Sequence, residues 1–293
     1  MPESVRERVA GFPRWHYEFD LNGVRTPIFD PAHVNRHEQG KQYFFSPLVR
    51  LAGGSLAGKR VLDLGCNAGF WSLAAIDAGA DFVLGVDGRQ MHIDQANLVF
   101  EVKRVEATRY RFEQADIFEL ELEEEPFDVV LCLGLLYHVS KPFELLERIA
   151  KWNDDLLLID TTLTTRFRGA GFRLTTEDLD DARSAVDRPV AMYPTGPAVV
   201  TLVEQFGYRA AALRPRFTDW SAAGCYREGR RRAFMCAKRT PLDDIDAEPV
   251  GRYVGANSFA VSTRRASARL RRRLLRSWGR ARRGLGSVRN TGH

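Results

Sequence analysis

Long hydrophobic runs are missing from this chain. No apolar stretch approaches the roughly 20 residues that a membrane-spanning helix needs. The first ten residues carry Glu3, Arg6, Glu7 and Arg8 where a signal peptide would have its apolar segment. These absences predict a cytoplasmic protein, and any association with the inner membrane surface would have to be peripheral.

Cysteine is also scarce. The chain has four cysteines, Cys66, Cys132, Cys225 and Cys236, and none of them forms a C-x-x-C pair. This spacing argues against a disulfide framework and against a thiolate zinc site. We therefore predict free thiols, mostly buried, and no metal site.

Acidic residues are absent from the last thirty positions, 264–293, which contain eleven arginines. The whole chain has a net charge of +5, so this segment contributes +11 and the rest carries −6. A polyanionic partner would be attracted by the C-terminal segment or by local patches, and not by the field of the remaining chain. The length of 293 residues and the hydrophobic fraction of 44% suit one medium-sized α/β domain with extensions.

A glycine-punctuated turn follows the first strongly apolar strand. In the sequence VLDLGCNAG at 61–69, the apolar run ends at Gly65 and a predicted helix begins at Phe70. Gly65 and Gly69 allow left-handed backbone angles and close approach of main-chain N–H groups to a ligand. Asn67 stands where a middle glycine is common, and asparagine tolerates the left-handed region better than most residues. The pattern predicts a nucleotide-cofactor loop.

Three further predicted strands deliver polar groups at their carboxyl ends. Asp87 ends the strand at 82–87, which places a carboxylate 22 positions after Gly65. Asp116 follows a strand near 110–115, and the sequence GLLYH at 134–138 follows a strand at 127–133. Ligands of open α/β sheets bind at the carboxyl edge of the strands, so these groups are predicted to surround one site.

In the order of these motifs the chain resembles the class I S-adenosylmethionine (SAM) dependent methyltransferases over about 48–239. The resemblance implies a doubly wound, mostly parallel seven-stranded sheet of the Rossmann-like type and an enzyme that uses SAM. The residues implied to bind the cofactor are Asp63, Gly65, Cys66, Asn67 and Gly69 for the methionine part, Asp87 and Gly88 for the ribose, Asp116 and Ile117 for the adenine, and Leu133 and Gly134 near the transferable methyl group.

A dinucleotide-binding domain is the main alternative for this turn. That class has the pattern G-x-G-x-x-G, whereas this chain has G-x-N-x-G and no further glycine in the third position. We therefore favour SAM over NAD.

Methyl transfer to a hydroxyl requires positioning of the acceptor and removal of a proton. His138 is the leading candidate for the base, because histidine accepts protons near neutral pH and His138 follows a strand whose end faces the reactive centre in the resembling family. Tyr137 could orient the acceptor or contact the methionine end of the cofactor, and Asp160, at the end of the next strand, is a second candidate base. The alternative for His138 is a structural hydrogen bond at a strand end.

The segment 134–142 is also similar to the tRNA wobble-uridine carboxymethyltransferases (the mo5U/carboxymethyl group), which use a carboxylated SAM. In that family the tyrosine that matches Tyr137 helps to hold the extra carboxylate. A lysine before the core and an arginine after it complete that site, and Lys41 and one arginine within 227–232 are the candidates here. Carboxy-SAM is thus an alternative cofactor, and tRNA an alternative partner.

The predicted organisation has four parts. Residues 1–47 form an N-terminal extension or lid with an Asn22-Gly23 hairpin turn, and a helix at 39–51 carries Lys41 and Tyr43 as candidate lid contacts or as sheet-edge packing. The domain follows at 48–239, with an insertion at 161–197 that is expected to recognise the acceptor. A linker spans 240–262, and a tail spans 263–293.

The tail has the pattern of a basic amphipathic helix. At 100° per residue its apolar side chains fall within one arc of about 120°, and these are Ala266, Leu270, Leu274, Trp278, Ala281 and Leu285. Three interpretations stay open: a helix on an anionic membrane surface, an arm that binds RNA phosphates, or a solubilising tail.

Together these patterns predict a SAM-dependent methyltransferase that acts on an oxygen, less readily a nitrogen, of a small molecule or saccharide. One alternative is a tRNA wobble-uridine carboxymethyltransferase with carboxy-SAM. The other is a SAM-binding protein without catalysis that is tethered by its tail to membrane or RNA.

Overall fold

A computed structural model of the chain describes residues 3–122, 125–166, 168–181, 184, 186 and 188–248. The tail predicted at 263–293 and most of the predicted linker lie outside these residues. Their proposed contacts with membrane or RNA therefore stay predictions.

The N-terminal segment is mainly helical. Its elements are α1 (Val5–Ala10), β1 (Asp20–Leu21), β2 (Val24–Arg25), α2 (Ala32–Gly40), a π-helical turn (Lys41–Phe45) and α3 (Ser46–Leu51). Asn22 and Gly23 have φ angles of 57° and 86° between the paired strands β1 and β2, which confirms the predicted hairpin turn. The helix predicted at 39–51 is present, and α2 extends it back to Ala32.

The first half of the sheet follows the predicted alternation of strand and helix. Its elements are β3 (Arg60–Leu64), α4 (Phe70–Asp77), β4 (Phe82–Asp87), α5 (Gln90–Val102), a 3-10 turn (Ala107–Arg109), β5 (Tyr110–Gln114), β6 (Phe127–Leu133), a 3-10 turn (Leu136–His138), α6 (Pro142–Trp152) and β7 (Asn153–Thr162). The bounds of β4 and β6 agree with the sequence prediction, because apolar runs next to Gly, Pro or charged residues define strand ends well.

The second half contains the insertion and the closing strands. Its elements are β8 (Phe172–Thr176), β9 (Val190–Pro194), α7 (Gly196–Gln205), β10 (Arg209–Leu213), α8 (Gly224–Arg227), β11 (Arg231–Ala237) and β12 (Ala247–Glu248). The strands β8 and β9 form an antiparallel hairpin inside the insertion.

The main sheet has the strand order β12-β10-β11-β7-β6-β3-β4-β5. Strands β3 to β7 are parallel, and β11 runs antiparallel to both β7 and β10. This arrangement confirms the predicted doubly wound, mostly parallel seven-stranded sheet, to which β12 adds a two-residue edge strand. The strand order reverses beside β3, at the boundary with β6, and ligands bind at such a point in open α/β sheets.

The core lies on both faces of the sheet. Val61, Val83 and Val129 belong to a buried cluster on one face, whereas Leu62 and Leu84 belong to the cluster on the other face. Burial on both sides explains why these strands are nearly continuous apolar runs and not alternating ones.

Part of the predicted linker is packed on the sheet edge. β12 pairs with β10, and the Asp246 carboxylate accepts hydrogen bonds from Arg214 and Arg216. Leu242 and Ile245 pack against the core. The structure thus differs from the linker prediction over 240–248. This polar segment packs on the domain through two apolar side chains and through the pairing of β12 with β10.

The four cysteines are all free thiols, and three of them are buried. None of the helices in the described ranges is long and apolar enough to cross a membrane.

Candidate cofactor and acceptor site

A large cleft opens at the carboxyl ends of β3, β4, β6 and β7. Its volume is about 1100 Å³, and its walls come from the N-terminal segment, the strand ends and the insertion. Sites for one small molecule usually have volumes of about 300 to 1,000 Å³. The cleft therefore has room for a cofactor and an acceptor together.

The turn after β3 depends on three left-handed residues. Gly65, Asn67 and Gly69 have φ angles of 70°, 50° and 77°. The side-chain oxygen of Asn67 accepts a hydrogen bond from the Ala68 N–H at 2.8 Å, and the Asn67 N–H donates to Asp87 at 3.0 Å. Asparagine can therefore replace a glycine here, since these bonds stabilise the left-handed conformation.

Gly69 acts through packing. A Cβ atom at Gly69 would lie 3.2 Å from the side chains of Ala96 on α5 and Phe112 on β5. Such close helix-to-strand packing is the role of the third glycine in dinucleotide-binding turns. The sequence analysis found no glycine in the third position of the dinucleotide-binding pattern. In the structure Gly69 has this packing role, and it does not line the cleft.

Asp87 is held at the end of β4, in the lining of the cleft. Its carboxylate accepts hydrogen bonds from the backbone N–H groups of Asn67 and Arg89, both at 3.0 Å, and lies 3.0 Å from Nδ1 of His92. A carboxylate has about four acceptor positions, so Asp87 retains capacity for a ligand hydroxyl. The sequence analysis missed His92. Its position in the first turn of α5, five residues after Asp87, was the feature that could have indicated this contact.

Asp63 and Cys66 lie behind the turn and not in the cleft lining. Asp63 sits inside β3, where its register partners are Gly85 and Leu131, and its carboxylate accepts a 2.6 Å hydrogen bond from Ser72 on α4. Burial, together with the charge of Asp87, raises the pKa of Asp63 to about 7. Burial also raises the pKa of the Cys66 thiol. Neither residue is among those that line the cleft, and their contact with the methionine part stays a prediction.

The remaining predicted cofactor residues do line the cleft. These are Gly88, Asp116, Ile117, Leu133 and Gly134. The Asp116 carboxylate accepts a hydrogen bond from the Phe118 N–H at 2.8 Å, which fixes the turn after β5. Gly134 has a φ angle of 85°, and its N–H donates to the Asp160 carbonyl at 2.8 Å.

His138 and Tyr137 meet the insertion across the cleft. The Nδ1 atom of His138 lies 2.7 Å from Oε2 of Glu177, next to the end of β8. The ring of Tyr137 lies 3.9 Å from the His138 ring and 5.7 Å from the Tyr193 ring on β9. The sequence analysis did not single out Glu177 or Tyr193, because their neighbours in space are 39 or more residues away in the chain.

Asp160 lies in the cleft lining but is part of a buried ion pair. Its Oδ2 atom is 2.6 Å from Nη2 of Arg231 and accepts a hydrogen bond from the Tyr226 hydroxyl at 2.9 Å. Removing one partner of such a pair leaves an uncompensated buried charge. Asp160 is thus held through Oδ2 by Arg231 and Tyr226, and its role as a second candidate base stays a prediction.

The N-terminal segment lines one wall of the cleft, with side chains other than the two candidate lid contacts. Tyr43 is buried in the core, where its hydroxyl donates to the Leu213 carbonyl at 3.0 Å. Lys41 pairs with Glu38 at 3.0 Å and lies over the Phe70 ring. The side chains from this segment that line the cleft are His16, Tyr17, His33, Arg36, His37 and Phe44. In the sequence, the group of three histidines within 16–37 was the feature that could have indicated this wall of the cleft.

The insertion closes the cleft beside Asp87. The guanidinium of Arg89 donates to the carbonyls of Leu179 and Asp181, both at 3.2 Å, and Arg14 pairs with Asp181 at 3.0 Å. A Cβ atom at Gly88 would lie 3.0 Å from Val186. In the part of the chain that the structure covers, no group of three or more His, Cys, Asp or Glu side chains is arranged to hold a metal ion.

Comparison with known proteins agrees with this geometry. Residues 61–153 match the family described as "Methyltransferase domain". The chain is 33% identical over 143 residues to the tRNA U34 carboxymethyltransferase of Pseudomonas putida (strain GB-1). This alignment covers 48% of this chain and 41% of that protein. It is 36% identical over 95 residues to the ubiquinone biosynthesis O-methyltransferase of Acinetobacter baylyi (strain ATCC 33305 / BD413 / ADP1). This alignment covers 32% of this chain and 39% of that protein. The chain thus spans about two fifths of the length of each of these two relatives.

Solved structures share the fold over most of the chain. The N-terminal domain of EvdMO1, crystallised in the presence of SAH and D-fucose, matches with a TM-score of 0.61 and 20% identity over 81% of this chain and 96% of that one. Magnesium protoporphyrin IX methyltransferase from Synechocystis PCC 6803, with bound SAM, matches with a TM-score of 0.51 and 19% identity over 80% and 95% of the two chains. Residues 61–153 therefore match a methyltransferase domain, and the chain shares the fold of these solved structures.

Proposed function

We propose that this chain transfers a methyl group from SAM to an oxygen of a small molecule or saccharide. The observation that carries the proposal is the shared cleft, in which a carboxylate-bound histidine, His138, lies with the left-handed turn at Asn67 and with Asp87. One half of the cleft suits a nucleoside. The other half offers a general base that could accept the proton of the acceptor hydroxyl.

The cofactor half fits SAM by its donors and its space. Asp87 has acceptor capacity for ribose hydroxyls, and Asp116 and Ile117 line the same cleft, which supports their proposed contact with the adenine. The guanidinium of Arg36 has no ion pair among the residues that the structure describes, so it is available for the methionine carboxylate. When bound, SAM supplies an electrophilic methyl group on a sulfonium.

The acceptor half supplies the proton transfer. Glu177 accepts the hydrogen bond from Nδ1–H of His138, which leaves Nε2 as the atom that takes the proton of the acceptor hydroxyl. The Glu177 carboxylate then stabilises the imidazolium that forms. Tyr137 and Tyr193 provide aromatic surface next to this position.

Titration with SAH and a methyl-transfer assay test this proposal. We expect the purified full chain to bind SAH, Asp87→Ala to weaken that binding, and His138→Ala to lower the turnover rate strongly while SAH affinity is kept. Turnover should be sought on pooled small metabolites and saccharides with radiolabelled SAM. SAH binding without turnover on any acceptor pool would favour the third hypothesis, a SAM-binding protein without catalysis.

Carboxymethyl transfer to a tRNA uridine is the second candidate function. It is favoured by the contact between Tyr137 and Arg231, whose guanidinium carbon lies 6.0 Å from the centre of the tyrosine ring. Arg231 lies within the predicted range 227–232, and Arg36, not Lys41, is the basic residue before the core that lines the cleft. The relatives that include the Pseudomonas putida tRNA U34 carboxymethyltransferase support this candidate.

Mass spectrometry of the small molecules that copurify with the protein distinguishes the two candidates. SAM or SAH in the released fraction would support the first. Carboxy-SAM would support the second, and carboxymethyl transfer to tRNA should then be assayed.

A further inference from the structure

Two histidines of the N-terminal segment face the cleft next to a set of aromatic rings. The rings of His16 and His37 lie 5.1 Å apart, and the His37 ring lies 4.5 Å from the ring of Tyr17. The side chain of His37 is buried, with 6% of its surface exposed. Neither histidine takes part in the proposed proton transfer.

Three of the four nitrogen atoms of these rings are buried without a hydrogen-bond partner in the described part of the chain. Both ring nitrogens of His37 and the Nδ1 atom of His16 are buried without one. Leaving a buried polar atom unsatisfied costs about 1 to 3 kcal/mol. Because both residues line the cleft, a molecule bound there can satisfy these atoms.

Both rings are neutral near physiological pH. Burial, together with the positive charge of Arg36, lowers the pKa of His16 to about 3. Burial, with the neighbouring His16 and Arg36, lowers the pKa of His37 well below its ordinary value. A neutral imidazole offers one N–H donor and one acceptor nitrogen. A hydroxyl group also donates once and accepts, so it matches this pattern better than a carboxylate, which only accepts, or an ammonium, which only donates.

Aromatic side chains complete the same wall. Tyr17, Phe44 and Trp71 line the cleft, and the rings of Phe44 and Trp71 lie 5.0 Å apart. Flat apolar rings pack well against the C–H face of a sugar, while nearby donors and acceptors bind its hydroxyls. A wall for a purely apolar acceptor would lack the histidine donors and acceptors, and a wall for an ionic acceptor would carry opposite charges in place of the aromatic rings.

From this geometry we propose that His16 and His37 form a subsite that binds two hydroxyl groups of a saccharide acceptor. This inference rests on the proposed methyltransferase function and narrows the acceptor to the saccharide class.

The test uses the full chain saturated with SAH and titrated with D-fucose, D-galactose and D-glucose as probes. Binding is followed by calorimetry and by the side-chain NMR signals of His16 and His37. We expect at least one probe to bind and to move both histidine signals. His37→Phe should weaken that binding at least tenfold with SAH affinity within twofold of wild type, and His37→Gln, which keeps a donor and an acceptor, should restore part of it.

Glu38→Gln is the matched control, because Glu38 lies on α2 next to His37 but its side chain is exposed and pairs with Lys41. It should bind the probes as wild type does, and thermal melting should show that every variant is folded. The inference is overturned if SAH binds but none of the three probes moves the His37 signals, or if His37→Phe binds them as tightly as wild type. A chain that fails to bind SAH at all contradicts the proposed function instead.

Discussion

His138 and Glu177 form a hydrogen bond of 2.7 Å between Nδ1 and Oε2, although 39 positions separate them in the chain. The bond joins the 3-10 turn after β6 to the insertion. A carboxylate on Nδ1 fixes the ring orientation and the tautomer, so that Nε2 is the nitrogen that can accept a proton. The proposed base is therefore positioned by a segment that also borders the acceptor space.

The first prediction concerns this pair. With an acceptor that is turned over, Glu177→Gln should lower kcat by about 10-fold to 100-fold, because the imidazolium loses its carboxylate partner. His138→Ala should lower kcat by roughly 10²-fold to 10⁴-fold, the usual contribution of a general base. Asp178→Asn removes the same charge from the exposed neighbouring position and serves as the control. Equal kcat values for Glu177→Gln and wild type would show that the bond is only structural.

A second prediction concerns Asp87. Its replacement by alanine removes an ionised hydrogen-bond acceptor, worth about 1.5 to 3 kcal/mol. The Kd for SAH should therefore rise by roughly 10-fold to 150-fold, as measured by calorimetry. Asp94→Asn, on the exposed side of α5, should leave the Kd unchanged. If the Kd of Asp87→Ala stays at the wild-type value, the ribose assignment is wrong.

The third prediction concerns the buried pair of Asp160 and Arg231. Arg231→Met should reduce the free energy of unfolding by about 3 to 5 kcal/mol, since the Asp160 charge loses its partner. Tyr226→Phe, which removes one hydrogen bond to the same oxygen, should cost about 1 kcal/mol. Urea denaturation of the single variants and of the double variant Asp160→Asn/Arg231→Met measures both effects.

The double variant should be more stable than Arg231→Met alone, because no buried charge is then left unpaired. A double variant that is less stable than either single one would mean that the two side chains contribute independently, and not as a pair.

The fourth prediction is a pH dependence of stability. The pKa of Asp63 is about 7 in the folded protein, against an ordinary value of 3.8. Between these values the folded state binds more protons than the unfolded state, so this group makes the protein less stable as the pH rises from about 4 to about 7. Asp63→Asn removes the effect and keeps an acceptor for Ser72.

The difference in unfolding free energy, Asp63→Asn minus wild type, should therefore grow by up to about 4 kcal/mol between about pH 4 and about pH 8. Chemical denaturation at a series of pH values measures it. A difference that does not change with pH would show that Asp63 is ionised in the folded state throughout this range.

The sequence by itself determined the parallel strands of the main sheet and the edge at which the cofactor is expected to bind. Apolar runs such as 82–87 and 127–133 end at residues that cannot continue a buried strand, so their bounds are local properties. Asp87 is the last residue of β4, and the carboxyl ends of parallel strands meet at one edge, so its place in the cleft followed from the pattern alone. The turn at Gly65 and Asn67 was predictable for the same reason, since left-handed backbone angles depend on the residue itself.

Only the tertiary structure decided which of these polar groups face the cleft and what holds them. Asp63 lies two residues before Gly65, yet it is enclosed by β4, β6 and α4, whereas Asp160 meets Arg231 from the antiparallel strand β11. His16, His37 and Glu177 reach the site through the packing of the N-terminal segment and the insertion, which lie far from the motifs in sequence. Such contacts depend on the three-dimensional arrangement of distant segments, and no local pattern of residues encodes them.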